Sequence, residues 1–249
     1  MHIIIPARYA STRLPGKPLL DIAGQPMIAR VLACARASGA QRVVVATDDE
    51  RIRDAVTALG TEVVMTRADH PSGTDRLAEA ISLLDLDEEE IVVNLQGDEP
   101  LMPAMLIRQV ADLLAAHPAA VMATACHAIT GREDFLNPNV VKVVTDREGY
   151  ALYFSRAPIP WPRDIMSGQS SAAIKAFRHI GLYAYRAGFV AQYAAWPACP
   201  LEHTESLEQL RILWQGEKIA VLEAEQAPAA GVDTPEDLER VRNYFLNNK

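Results

Sequence analysis

His2-Ile3-Ile4-Ile5-Pro6-Ala7-Arg8-Tyr9-Ala10-Ser11-Thr12-Arg13-Leu14-Pro15-Gly16-Lys17-Pro18 opens the chain with an apolar run that passes straight into a loop carrying three cations. His2 to Ile5 reads as a buried strand, and further short apolar runs follow at Arg42 to Ala46, Glu62 to Met65 and Ile91 to Leu95. Between them, Met27 to Ser38, Glu50 to Leu59 and Thr74 to Leu84 repeat apolar residues at the three-to-four spacing of an amphipathic helix. Pro26 suits a helix start, and Gly39 and Gly60 stand where helix C-caps belong. Strands alternating with helices predict an α/β fold with a doubly wound, mostly parallel sheet. Ligands of such sheets bind beyond the carboxyl ends of the strands, so chemistry is expected in the segments that follow each strand.

The second half breaks this rhythm. Val140 to Thr145 and Ala151 to Ser155 predict a hairpin, and Phe177 to Arg186 another strand. Helices are expected at about Ala187 to Trp196, Ser206 to Trp214 and Pro235 to Leu246, with a strand at Ile219 to Glu223. Pro158, Pro160 and Pro162 punctuate a loop that runs to about Ser171. No low-complexity linker or internal repeat divides the sequence. One domain is expected over 1–249, its core at about 1–130 and 200–249, with a β-rich insertion at about 131–199.

Composition narrows the partners. With 249 residues, 49% hydrophobic and 22% charged, the chain can bury a sizeable core without disulfides or a structural metal. A net charge of −8 disfavours nucleic acid or an anionic membrane, so a phosphate-bearing ligand must be held by a local basic cluster. Cys34, Cys126 and Cys199 are scattered in apolar surroundings and read as packed thiols. The N-terminal segment lacks the features of a signal peptide, and no apolar run is long enough to span a bilayer. A cytoplasmic protein is expected.

The loop after the first strand can wrap a polyphosphate, with backbone N–H groups on the oxygens and Arg8, Arg13 and Lys17 neutralising charge, or it is a solvated basic loop; three cations within ten residues favour the first reading. It is not a P-loop, because Pro18 follows Lys17, and it lacks the GxGxxG dinucleotide turn. In Ser72-Gly73-Thr74-Asp75-Arg76, Ser72 or Thr74 equally suits a helix N-cap. Asn94-Leu95-Gln96-Gly97-Asp98-Glu99-Pro100 closes the fourth strand with an acid placed either to hold Mg²⁺ or to shape a Gly-Asp turn. Asp233 precedes Thr234-Pro235-Glu236-Asp237, where Thr234 and Asp237 can form a capping box and leave Asp233 for another task. Period two puts His179, Gly181, Tyr183 and Tyr185 on one strand face, for a ligand or for a structural network. Glu205, Glu208 and Gln209 are expected on the helix near Ser206, where solvated glutamates are the ordinary case.

Taken together, these segments resemble the 3-deoxy-manno-octulosonate (Kdo) cytidylyltransferases, or CMP-Kdo synthetases. The likeness lies in Pro6 to Leu19, HPSGTDR (His70 to Arg76), NLQGDEP (Asn94 to Pro100), NPNVVKVV (Asn137 to Val144) and ALYFSRAPIPWPRD (Ala151 to Asp164). HIGLYAYR (His179 to Arg186), LEHTESLEQLR (Leu201 to Arg211) and GVDTPEDL (Gly231 to Leu238) extend it over almost the whole chain. The resemblance implies a nucleotidyltransferase fold with a β-rich subdomain for dimerisation and sugar binding. It implies a homodimer that uses Mg²⁺, CTP and Kdo to make CMP-Kdo and pyrophosphate for lipopolysaccharide assembly. It assigns Ala7, Arg8, Arg13, Lys17, Ser72, Gly73 and Gln96 to CTP, and Asp98 and Asp233 to the metal. Arg76, Arg156, His179, Tyr183, Glu208 and Gln209 match positions lining the sugar pocket, and Arg8, Lys17, Asp98 and Asp233 are the expected catalytic set. The rival substrates are other acidic sugars such as sialic acid or 8-amino-Kdo. A rival of another class is a non-catalytic nucleotide-sugar binding protein on the same fold. An NAD-dependent dehydrogenase is disfavoured by the missing glycine fingerprint.

Overall fold

Ile3, Ile4 and Ile5 have no exposed surface, and neither do Val44, Val45, Val92 and Val93 on the neighbouring strands. Strands apolar on both faces belong in the middle of a parallel sheet covered on two sides, and the computed structural model has that arrangement. It describes residues 1–10, 14–70, 72–169 and 172–248.

In chain order, β1 (His2–Ala7) leads through a 3₁₀ turn at Lys17–Leu19 to the small hairpin β2 (Asp21–Ile22) and β3 (Gln25–Pro26). Then come α1 (Met27–Ala37), β4 (Arg42–Thr47), α2 (Glu50–Ala58), β5 (Glu62–Met65), α3 (Gly73–Leu83), β6 (Ile91–Asn94) and α4 (Ala104–Ala116). The middle holds β7 (Ala120–Ala128), α5 (Arg132–Leu136), β8 (Lys142–Thr145), β9 (Ala151–Ser155), α6 (Arg163–Met166) and β10 (Phe177–Arg186). The chain closes with α7 (Ala187–Ala195), α8 (Pro200–Glu205), α9 (Leu210–Trp214), β11 (Lys218–Glu223) and α10 (Pro235–Asn247).

These elements fall into two compact units. The first comprises Met1–Ala111, Ala184–Ala194 and Pro228–Lys249. Its strands run β6-β1-β4-β5, all parallel, with Ile4 opposite both Val44 and Asn94. Gly39 and Gly60 follow α1 and α2 with positive φ, as the sequence predicts. The second unit comprises Asp112–Tyr183 and Ala195–Ala227. There β11 lies parallel to β7, β10 lies beside β7, and the expected hairpin β8–β9 is antiparallel with Val143 opposite Phe154.

Seven elements extend the sequence reading: β2, β3, α4, β7, α5, α8 and α6, the last a short helix within the expected proline loop. One corrects it. The helix expected from Ser206 to Trp214 begins only at Leu210, as α9, after a break at 206–209 that separates it from α8. Cys199 and Glu202 form a capping box that, with Pro200 at the first turn, starts α8 early. Ser206 then turns left-handed at φ 52° and ends α8. Glu208 and Gln209 therefore stand in the turn before α9, and Glu205 ends α8. All three cysteines are free thiols.

Ile4 sits at the centre of the parallel register with no exposed surface. Ile4→Ala is expected to cost about 2–5 kcal/mol of stability, measured by urea unfolding.

Candidate active site

Parallel register places the ends of β1 and β6 on one edge of the first unit. Ala7 closes β1 and Asn94 closes β6, and Leu95 N–H donates to the Ile4 carbonyl at 3.2 Å. The following turn presses so close that a Cβ on Gly97 would stand 3.0 Å from the Pro6 carbonyl oxygen, which accounts for a glycine beside Asp98. Arg8, just past β1, is exposed at this edge. The described part of its loop is closed by Gly16 N–H donating to the Tyr9 carbonyl at 3.0 Å. The Tyr9 ring lies under the Arg51 guanidinium, 3.3 Å from carbon to ring centroid. Arg13 lies outside the described residues.

Lys17 leaves this loop and reaches inward. Its ammonium donates to Asp98 Oδ2 at 2.8 Å, the Val232 carbonyl at 2.9 Å and Asp233 Oδ1 at 3.1 Å. Burial alone would lower the Lys17 pKa, but the charges and hydrogen bonds of Asp98 and then Asp233 outweigh it and hold it above the ordinary value. Val232 N–H donates back to the Asp98 carbonyl at 2.9 Å. A Cβ on Gly231 would meet Glu99 Oε1 at 2.8 Å and the Asp98 carbonyl at 3.0 Å, so only glycine permits this approach. Leu14, Ile22, Met27, Val232, Leu238 and Val241 pack into one apolar cluster that seats the start of α10 beside the loop.

Asp98 and Asp233 thus converge. The capping box of Thr234 and Asp237 forms as expected, with Thr234 N–H donating to Asp237 Oδ2 at 3.0 Å and Asp237 N–H to Thr234 Oγ1 at 3.2 Å. The Asp233 carboxylate left over by that box is not idle, because Lys17 occupies it.

Ser72 is the cap of α3, accepting from Asp75 N–H at 3.1 Å, which decides between it and Thr74. Gly73 opens α3 where an added Cβ would stand 3.9 Å from Pro6 Cγ, so this helix start lies near the end of β1. Gln96 Nε2 donates to Asn94 Oδ1 at 3.4 Å. Arg76 has no exposed surface and turns toward Thr66 and Asp48, the latter 3.2 Å away. Burial lowers its pKa, Asp48 opposes that, and the neighbouring charge of Arg8 adds to it. Arg76 belongs to the first unit, with the residues matched to CTP, whereas the other residues matched to the sugar belong to the second.

Those others lie in the second unit. His179 Nε2 is 2.9 Å from Thr124 Oγ1, and the His179 and Tyr183 ring centroids are 5.5 Å apart. Burial pushes the His179 pKa down to about 3 and, with help from the Glu208 charge, pushes the Tyr183 phenol up. Gln209 is buried, and its Nε2 has no hydrogen-bond partner. Arg156 is committed to backbone: Nε to the Glu205 carbonyl at 2.7 Å and an η nitrogen to the Pro138 carbonyl at 3.1 Å.

A family model for cytidylyltransferases matches residues 2–219. The chain belongs to the cytidylyltransferase family. A curated relative from Hahella chejuensis, a 3-deoxy-manno-octulosonate cytidylyltransferase, is 61% identical over 243 residues, covering 96% of this chain and 95% of its own. A solved CMP:2-keto-3-deoxy-manno-octonic acid synthetase complexed with CTP superposes with a TM-score of 0.91 at 44% identity, over 99% of this chain and 98% of that one. A cytidylyltransferase structure from Leptospira borgpetersenii shares the fold at a TM-score of 0.65 and 19% identity, over 98% and 86% of the two chains.

The acids of this family member suit Mg²⁺. Among the described residues no group of three or more His, Cys, Asp or Glu gathers to hold a metal. Mg²⁺ does not need one, since it keeps water and substrate phosphates as ligands beside one or two carboxylates. Asp98 and Asp233 already share one cation, the Lys17 ammonium, through hard oxygen donors.

Two supporting residues were missed in the sequence. Lys142 has no exposed surface and donates to the carbonyls of Val140 at 2.6 Å, Arg156 at 2.7 Å and Asn137 at 3.0 Å. Thr124 is equally buried in β7. Each is a lone polar residue inside an apolar strand run, which is the signal that could have found it.

Lys17→Met leaves two carboxylates facing one another without a counter-charge. The variant is expected to melt below the wild type, and Mg²⁺ to raise its Tm by more than it raises the wild type's, since no ammonium competes. Scanning calorimetry with and without millimolar Mg²⁺ checks this; equal shifts would place the ion elsewhere.

Proposed function

We propose that this chain transfers the cytidylyl group of CTP to 3-deoxy-manno-octulosonate, giving CMP-Kdo and pyrophosphate. The observation that carries the reading is the convergence of Lys17, Asp98 and Asp233 at the strand edge where the basic loop begins. The identity of 61% to the Hahella enzyme supports Kdo as the sugar. No helix among the described residues is long and apolar enough to cross a membrane, which suits two water-soluble substrates.

The sugar's anomeric hydroxyl attacks the α-phosphorus as pyrophosphate leaves in line. Arg8 and Lys17 meet the triphosphate with positive charge, and the Lys17 pKa, held above its ordinary value, keeps that charge at neutral pH. Ser72 and Gly73 bring the N-terminus of α3 to the same edge, where backbone N–H groups favour an anion. Mg²⁺ held by Asp98 and Asp233 would supply charge neutralisation on phosphate oxygens and acidify a bound hydroxyl. His179, Tyr183, Glu208 and Gln209 of the second unit recognise the sugar, while Arg156 shapes that region through the backbone it holds. The reading includes a homodimer working in the cytoplasm, for which exposed Leu152 and Trp161 supply apolar surface.

Pyrophosphate release measured across nucleotides and acidic sugars, with and without Mg²⁺, tests the reading. CTP with Kdo and Mg²⁺ is expected to be the fastest combination. No release from CTP with any acidic sugar would overturn it, and faster release with sialic acid or 8-amino-Kdo would correct the sugar alone. Asp98→Asn is expected to lower kcat about 100-fold or more with the fold retained by circular dichroism. Near-normal turnover would remove Asp98 from the metal site.

A further inference from the structure

We propose that Thr124 is a positioning residue that locks His179 as the Nε2–H tautomer, so that the ring presents Nδ1 as an acceptor to a hydroxyl of the sugar. This rests on the assignment of His179 to sugar recognition and adds which atom recognises what.

The argument is a count of protons around one oxygen. Thr124 Oγ1 lies 2.9 Å from the Leu182 carbonyl, 3.1 Å from the Ile180 carbonyl and 2.9 Å from His179 Nε2. A hydroxyl has one proton to donate, and carbonyl oxygens only accept. If that proton pointed at His179, two carbonyls would face hydroxyl lone pairs at bonding distance in a fully buried place, an unpaired arrangement that proteins avoid. The proton therefore goes to a carbonyl, and Thr124 accepts from His179 Nε2–H. Nδ1 is left with its lone pair.

The ring stays neutral, because burial pushes its pKa down to about 3. It is also fixed in place: Phe154, fully buried, meets it edge-on at 4.9 Å between centroids, and Tyr183 lies on its other contact at 5.5 Å. Nδ1 is bonded by no described residue. A neutral ring with a bare lone pair accepts a hydrogen bond from a hydroxyl and repels a carboxylate. His179 accordingly reads the polyol part of an acidic sugar and leaves its carboxylate to other groups.

Two-bond ¹H–¹⁵N correlation spectra of ¹⁵N-histidine-labelled enzyme read the tautomer directly. His179 is expected to carry its proton on Nε2, and the Nδ1 signal to shift when Kdo is added to the enzyme with CTP. Thr124→Val removes the acceptor and is expected to populate the Nδ1–H tautomer. It should raise KM for Kdo about tenfold while KM for CTP holds, and Thr124→Ser should restore both spectrum and KM. A wild-type ring protonated on Nδ1 overturns the proposal, and this result needs no variant to fold. His179→Ala separates the two claims. If that variant raises KM for Kdo while the wild-type proton sits on Nδ1, the lock fails and the sugar assignment stands. If that variant leaves KM for Kdo unchanged, the sugar assignment fails and the proposal with it.

Discussion

One ammonium group ties together three parts of the chain that lie far apart in sequence. Lys17 Nζ bonds Asp98 after the strand β6 and Val232 and Asp233 before the helix α10. Two carboxylates bonded to one ammonium repel one another, and the cation between them offsets that repulsion. Lys17 supplies it, and the apolar cluster from Leu14 to Val241 holds the segments around it.

The second unit handles charge differently. Arg156 matches a sugar-pocket position by resemblance, yet its nitrogens and the buried Lys142 ammonium go to backbone carbonyls at Asn137, Pro138, Val140, Arg156 and Glu205. Burial lowers the Lys142 pKa, and the three carbonyls are what make a buried ammonium tolerable. Glu205 completes the frame by accepting from Ser155 Oγ at 2.6 Å and Arg156 N–H at 2.9 Å. With those charges committed to structure, the proposed sugar recognition falls to His179, Tyr183, Glu208 and Gln209, of which all but Glu208 are neutral groups. That suits a polyhydroxylated ligand, whose hydroxyls bond neutral donors and acceptors without a large desolvation cost.

The alternation of β1 to β6 with α1 to α3 was legible because each element carries its own period and its own punctuation. Gly39, Gly60 and the capping box at Thr234 are local signals, and local signals survive into the fold. Ala120–Ala128 was not legible, since its alanines and small residues favour a helix by intrinsic propensity. Only pairing with β11 and β10 makes it a strand. The break at Ser206 was hidden for the opposite reason. A cysteine side chain, that of Cys199, is not among the usual N-caps, so no usual cap marks the start of α8 or separates Glu208 and Gln209 from α9.

By itself, the sequence determined the fold class, the carboxyl edge where chemistry belongs and the residue types gathered there, because periodicity and motif are written in neighbouring residues. Only the tertiary structure decided what those residues do with their charge. It turned Arg76 inward to Asp48, tied Arg156 to backbone, gave the Asp233 carboxylate to Lys17 and placed Thr124 against His179. These are contacts across tens to hundreds of residues. A side chain's role is set by the partner that reaches its atoms, and that partner is chosen by packing, which no short stretch of sequence contains.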